Sequence, residues 1–373
     1  MKALRRILTA GVAVSATGLA LVPATQAGAA THSSYIGRFH KIGTIASTVP
    51  RNGDVNPYGI VVIRHSDGRL RAGHVLISNF NNKANLQGTG TTLVQISRRG
   101  HRTLFAKINP RRLPGRCPGG VGLTTALAVL RGGWVVVGST PSKNGMAATA
   151  KAGCLIVLNN RGHVVKTIAG HGINGPWDAT SLNEGHQAAL FVANVLKGTV
   201  AAKGKVVHRG TVQRLQLRVF RKTPPRLLSV TRIGSGFPQQ TNAAAFVLGA
   251  TGVGLSRTGA LYVASTQNSQ IRVIPNAVTR MTSAGTGALL TAGGKLSMPL
   301  GLAVAPNGNV LTVNGGNGLI VETTPGGRQI ASKLLDNSGS PKGAGALFGL
   351  AVRPGNRGVY YVDDAANTLR LLH

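Results

Sequence analysis

Apolar residues in this chain fall in short runs closed off by glycine, asparagine or proline, not at helical intervals. Leu261-Tyr262-Val263-Ala264, Val310-Leu311-Thr312-Val313 and Tyr360-Tyr361-Val362 are of this kind. Runs of that length between turn residues predict β-strands. Each follows a small-residue segment and a turn: Gly252-Val253-Gly254-Leu255 before Gly259, Gly301-Leu302-Ala303-Val304 before Asn307-Gly308, and Gly349-Leu350-Ala351-Val352 before Gly358. Gly252, Gly301 and Gly349 stand 49 and 48 residues apart. A small-residue strand, a turn and a second strand, repeated at such a period, predict the blades of a propeller.

The same register extends backwards. Counted from Gly73, Gly133, Gly259, Gly308 and Gly358, the sixth position is Asn79, Ser139, Ser265, Asn314 and Asp364. The blade holding Leu190-Phe191-Val192-Ala193-Asn194 fits that position, although Lys197 stands where other blades carry Asn or Ser. Six units result, so the expected fold is all-β, a six-bladed β-propeller. The last unit supplies three strands, and Lys41-Ile42-Gly43-Thr44-Ile45-Ala46 is otherwise unassigned. We expect it to pair with Leu369 to Leu372 and complete the last blade, removing two open sheet edges. One unit is oversized, with 76 residues from Trp177 to Val253, which leaves room for a seventh blade as the alternative.

The repeat resembles the NHL repeat, most closely over Gly301–Ile320 and well over Gly252–Ile271 and Gly349–Leu369. The usual Arg before the final Ile is missing. NHL-like propellers often serve interaction roles, so the resemblance implies a non-catalytic binding scaffold, with a protein or an anionic polymer as partner on the loop-bearing face. Related gluconolactonase-like and regucalcin-like propellers hold a divalent cation with Glu, Asn and Asp near one mouth of the channel. By that comparison Asn79, Asn194, Asn314 and Asp364 are the candidate metal ligands, and the alternative function is a metal-dependent hydrolase or lyase of the lactonase-like type. Turn capping explains the same residues, since Asn and Asp bond nearby backbone in turns. No cofactor is predicted from the residues themselves; a divalent metal is the one that this alternative would use.

The N-terminus changes the setting. Lys2, Arg5 and Arg6 precede an apolar stretch from Ile7 to Leu21, then Pro23 and Ala27-Gly28-Ala29. That order predicts a signal peptide over 1–29 and a propeller over 30–373, hence a secreted or periplasmic protein. The apolar stretch is shorter than a spanning helix needs, and no transmembrane segment is expected. Nothing in the chain calls for an oligomer, and a monomer is expected.

Charge adds a second constraint. The formal net charge is +34, yet Lys and Arg number 42 of 373, an ordinary share, while Asp and Glu number 8. The imbalance comes from missing acids, and the bases are scattered through every blade. A specific nucleic-acid binder would cluster them on one face with interleaved aromatics. An acidic exterior fits better, because acid lability follows carboxylates that are ionised and paired in the native state. The densest basic segment, residues 197–232, holds eleven basic groups and no acid. Arg214 and Arg218 alternate there with Leu215 and Leu217 and share a strand face, making them candidate anion-binding residues for a polymer-binding reading.

Cys117 and Cys154 are the two cysteines and are expected to form a disulfide in an exported chain. No catalytic residue is assigned. His171 and His186 flank Trp177-Asp178 and form the one local His/Asp cluster, but no two carboxylates have a spacing suited to acid–base work. Glu322 is expected to face outward or to pair with Arg328.

Overall fold

The computed structural model describes residues 33–373. The expected signal peptide lies outside the described residues. Among them no helix is long and apolar enough to cross a membrane.

Short apolar runs become strands, and the strands form six antiparallel sheets around an axis. Strand β1 is Ile42–Ser47. Blade 1 is β2–β5 (Val55–Val62, Val75–Asn81, Thr92–Ile96, Arg102–Lys107). Blade 2 is β6–β9 (Leu123–Leu130, Trp134–Ser139, Cys154–Leu158, Val164–Ile168). Blade 3 is β10–β14 (Pro176–Glu184, Gln187–Asn194, Val207–Arg218, Arg226–Asn242, Phe246–Leu248). Blade 4 is β15–β18 (Ala250–Leu255, Leu261–Ser265, Gln270–Ile274, Ala288–Ala292). Blade 5 is β19–β22 (Pro299–Val304, Val310–Asn314, Leu319–Thr323, Gln329–Leu334). Blade 6 is β23–β25 (Leu347–Val352, Val359–Asp363, Thr368–Leu372), completed by β1 in the order β1-β25-β24-β23.

The ring is closed as the unassigned N-terminal strand suggested. β1 runs antiparallel to β25 from Ile42 opposite Leu372 to Ser47 opposite Thr368, with a bulge between Thr44 and Ala46. The oversized unit is one blade, not two. Its extra residues lengthen β12 and β13 into a ribbon, and β13 continues into a hairpin with β14.

Between the blades lie six hydrophobic clusters, one at each interface. Leu76 and Leu93 meet Val135 and Val137 between blades 1 and 2. Val136 and Val157 meet Leu190 and Leu215 between blades 2 and 3. Successive residues of one strand therefore serve opposite neighbours: Val310 packs toward blade 4 and Leu311 toward blade 6. A strand covered on both faces reads as a continuous apolar run, which is why the runs show little alternation.

Each inner strand carries an irregularity near its start, between Pro57 and Ile60, Leu123 and Leu127, Pro176 and Ala179, Ala250 and Val253, Pro299 and Leu302, and Leu347 and Leu350. Such bulges bend a strand. Here they bring adjacent inner strands into backbone contact. A β-carbon on Gly252 would lie 2.1 Å from the Leu300 carbonyl oxygen, on Gly301 2.1 Å from that of Phe348, and on Gly349 2.3 Å from that of Tyr58. In blade 3 the equivalent residue is Asp178, and it bridges rather than abuts: its carboxylate accepts the Val253 N–H of blade 4 (2.8 Å).

Candidate functional site

In a propeller the loops entering each blade and the turns between second and third strands share one face, called the upper face here. Inner strands start there, and functional groups would gather at its central mouth. The residue that opens each inner-strand irregularity is Tyr58, Thr124, Trp177, Thr251, Leu300 and Phe348 in blades 1 to 6. Four of the six are large and apolar, and they meet on the axis. Tyr58 stacks on Phe348 with centroids 3.9 Å apart and meets Trp177 edge-on at 5.8 Å, although blades 1 and 3 are not neighbours. Phe80 stacks on Tyr58 at 4.4 Å. Phe246 completes the plug, 5.2 Å from Phe80 and 6.1 Å from Trp177. Tyr58, Phe80, Trp177 and Phe246 are all at most 1% exposed.

Phe246 arrives from the β13–β14 hairpin, which reaches from the edge of blade 3 across the upper face. Gln87 Nε2 of blade 1 donates to the Ala243 and Ala244 carbonyls (3.2 and 3.4 Å). Asn242 Oδ1 accepts the Ala244 and Ala245 N–H groups (2.9 and 2.8 Å) and forms the tip. Phe246 itself has φ of +64°, a conformation that a bulky side chain adopts at a cost of about 1–3 kcal/mol. Burial of its ring in the plug offsets that strain.

The polar residues expected around this mouth do other work. Asn79 Nδ2 donates to the Thr48 carbonyl (3.2 Å) and to Thr92 Oγ1 (3.3 Å). Asn194 Oδ1 accepts the Asn174 N–H (3.2 Å), and Asn314 Nδ2 donates to the Lys295 carbonyl (2.7 Å). Each ties the loop entering its own blade to the end of its second strand. Asn79 and Asn314 are fully buried.

The fourth candidate is out of register. Asp363, opposite Leu347, holds the place that Asn79, Asn194 and Asn314 hold opposite Pro57, Pro176 and Pro299. The Gly358 carbonyl accepts the Arg353 N–H just as the His74, Ala260 and Asn309 carbonyls accept theirs in other blades. Gly358 thus stands one residue past the turn glycine, and counting from it slips by one. Asp363 is fully buried and accepts from Arg370 Nη1 (2.8 Å) and the Ala366 N–H (3.1 Å). Arg370 also approaches Asp336 at 3.6 Å. Asp364 lies beside the plug. With its amide turned to satisfy both ends, Asn56 Nδ2 donates to the Asp364 carboxyl oxygens (2.7 and 3.3 Å) while its oxygen accepts from Asn81. Enclosure and the neighbouring Asp363 charge push the Asp364 carboxyl up to about 8.

Asp178 is enclosed by the inner strands, and burial pushes its carboxyl up to about 8 although it accepts the Ala179 and Val253 N–H groups. Both bonds go to backbone rather than to His171 or His186, which are exposed. Among the described residues no three His, Cys, Asp or Glu side chains are grouped so as to hold a metal ion. The donor set at the mouth does not fit a divalent cation either, since hard cations take several carboxylate and carbonyl oxygens converging on one point. The Asn79 and Asn314 Nδ2 groups are held by loop carbonyls and their buried Oδ1 atoms find no partner among the described residues, but no carboxylate joins them there, and the axis is filled with rings.

Glu322 corrects another expectation. It faces neither solvent nor Arg328. It is fully buried and accepts from Ser34 Oγ (2.6 Å), the Tyr35 and Ile36 N–H groups (2.7 and 2.9 Å) and Asn309 Nδ2 (2.6 Å). These bonds hold its carboxyl below the usual carboxylate range despite burial. They dock the segment ahead of β1 on the interface of blades 5 and 6, where Tyr35, Ile36 and Phe39 join the cluster.

Arg214 does not present its charge to solvent. It is 4% exposed, and its guanidinium donates to the Ala277 and Val278 carbonyls (3.0 and 2.5 Å) of blade 4. Arg218 lies on the same strand but is exposed and stands over the Phe220 ring. The pair is no common anion site, because the neighbouring blade covers one end of the strand face. Cys117 and Cys154 are bonded to each other, joining the loop that enters blade 2 to its third strand.

No family model and no curated protein matches the sequence. Among solved structures the chain is similar to a gluconolactonase of Xanthomonas campestris, with a TM-score of 0.53 and 11% identity over 88% of each chain. It is similar to a luciferin-regenerating enzyme, TM-score 0.54 and 10% identity, over 89% of this chain and 94% of that one. It is also similar to regucalcin of Agrobacterium tumefaciens, described as a calcium-binding protein, TM-score 0.51 and 12% identity, over 88% and 94%. At these identities the likeness is one of fold, a six-bladed propeller.

Proposed function

We propose that this protein is a non-catalytic binding propeller, an NHL-like scaffold working outside the cell in an acidic envelope. The observation that carries the reading is the plug. Where a lactonase-like propeller would need a cation and an open mouth, this chain places Tyr58, Phe80, Trp177, Phe246 and Phe348 and covers them with a hairpin. A closed, apolar mouth leaves the loops of the upper face as the surface to be recognised. The partner is a protein or an anionic polymer. The acidic setting is supported by Asp178 and Asp364, whose carboxyls are favoured in the protonated form. The lactonase-like alternative draws its support from the fold of the structural neighbours. The two readings separate in a hydrolysis assay with γ- and δ-lactones, run with added calcium, manganese or zinc. Wild type and Phe246→Gly, which unplugs the mouth, are both expected to be inactive; turnover by the wild type would overturn the scaffold reading.

A further inference from the structure

On the lower face, where the inner strands end, the arginines of blade 1 make no ion pair among the described residues. At the lower end of blade 1 the β2–β3 connection and the β4–β5 turn enclose a cleft of 310 Å³ lined by Ala72, His74, Ser97, Arg98 and Arg99. The Arg98 guanidinium lies across Gly73, so closely that a β-carbon there would stand 2.9 Å from Nη2. Gly73 also has φ of +78°, so both the turn and the overlying arginine favour glycine. Neighbouring arginines are spent on carbonyls: Arg69 on Leu104 and Phe105, Arg71 on Gly68 and Leu70. Arg98 and Arg99 have exposed side chains that bond to no other described residue.

His74 lines the same cleft. Its Nδ1 is buried and has no partner among the described residues. The charged groups facing the imidazole are Arg71 from its own connection and Arg98 and His101 from the β4–β5 turn. Burial and these three neighbours hold the ring below its ordinary value. Asp67, the acid of this connection, is turned to blade 2 and accepts from Asn160 Nδ2 (2.6 Å). Like charges held together around a hollow destabilise one another unless an anion enters, and guanidinium forks match tetrahedral oxyanions.

We propose that this cleft binds a phosphate-type oxyanion, the phosphate or sulfate group of a soluble ester or polymer. Arg98 and Arg99 supply guanidinium donors, and the His74 ring that lines the cleft adds positive charge when it is protonated. The site lies on the face opposite the plug and stands independently of what the upper face binds. Because an anion stabilises the imidazolium, binding strengthens as pH falls through the His74 pKa, below 6.5.

The test is an NMR titration of the full mature chain, read at the Ala72 and Ser97 backbone amides that line the cleft, with inorganic phosphate and with sulfate, at pH 5.5 and 7.5. A saturable shift is expected for both, tighter at pH 5.5 for sulfate, whose charge is the same at both values, while phosphate loses charge over that range. Arg98→Ala/Arg99→Ala is expected to weaken binding by about tenfold or more, as befits loss of charge-assisted bonds. The control Arg257→Ala/Arg328→Ala removes the same charge from exposed positions elsewhere and is expected to leave it unchanged. His74→Gln is expected to remove the pH dependence for sulfate. No saturable shift up to roughly 50 mM phosphate would overturn the proposal, since such affinity is no more than diffuse attraction. Equal weakening by the control pair would overturn it too.

Discussion

Replacing Glu322 with Gln probes how a chain with so few acids uses one of them. The carboxylate receives four donors at 2.6–2.9 Å, two of them backbone N–H groups of the segment that leads into β1. A glutamine keeps one acceptor oxygen and turns an NH₂ toward the remaining donors. At least one buried N–H then loses its acceptor, at about 1–3 kcal/mol, and the charge-assisted bonds that remain become neutral ones. The expected loss is about 3 kcal/mol. For a chain of this length the entropy of unfolding converts that to a fall of about 4 °C in melting temperature. Equilibrium urea unfolding gives the first number, and amide exchange at Tyr35 and Ile36 shows whether the loss begins there. The pH dependence has a definite sign. The folded pKa is depressed, so the contribution is fully present above the unfolded value of about 4.3 and is lost as pH falls through the folded one. Wild type therefore weakens in that acid limb, and Glu322→Gln does so less. A variant within 0.5 kcal/mol of wild type, with unchanged exchange at Tyr35 and Ile36, would refute the reasoning.

Asp178 and Asp364 act in the opposite sense. Their folded pKa values, about 8, lie above the unfolded value of about 3.9, so the folded state holds protons that unfolding releases between those limits. Melting temperature is expected to fall from pH 5 to pH 8, with a shallower slope in Asp364→Asn; differential scanning calorimetry across that range checks both. Deleting residues 33–47 removes β1 and its docking segment, exposing β25 as an edge, and is expected to abolish cooperative melting by circular dichroism. Cys117→Ser/Cys154→Ser opens a loop of 37 residues and is expected to cost about 3–4 kcal/mol in urea unfolding.

The blade period and the closure were legible because both are local: a glycine-rich inner strand, a turn and a second strand recur at near-constant spacing, and the last blade visibly lacks a strand. The site was not legible in the same way. Tyr58, Trp177 and Phe348 are far apart in sequence, and only the ring brings equivalent inner-strand positions together on the axis. The reach of Phe246 depends on a hairpin whose extra length read as room for another blade. Strand alternation put Arg214 and Arg218 on one face, but the covering of that face by blade 4 is a tertiary fact. Glu322 had no visible partner because its donors, Ser34 to Ile36, come from the other end of the chain. The slip at Asp364 came from a turn, Arg353 to Gly358, one residue longer than Ser256 to Ala260 and Ala305 to Asn309, with its glycine at the end, a change that hydrogen bonding reveals. An aromatic near the start of the inner strand in blades 1, 3 and 6 (Tyr58, Trp177 and Phe348) was the signal available for the plug.

The central claim is that the mouth is closed by side chains and owes nothing to a metal. A melting curve of the mature protein at pH 5.5, taken with a chelator and then with calcium, magnesium, manganese or zinc, tests it most directly. The account predicts one melting temperature throughout. A temperature lowered by the chelator and restored by a single ion would contradict it, and would place a cation inside the ring.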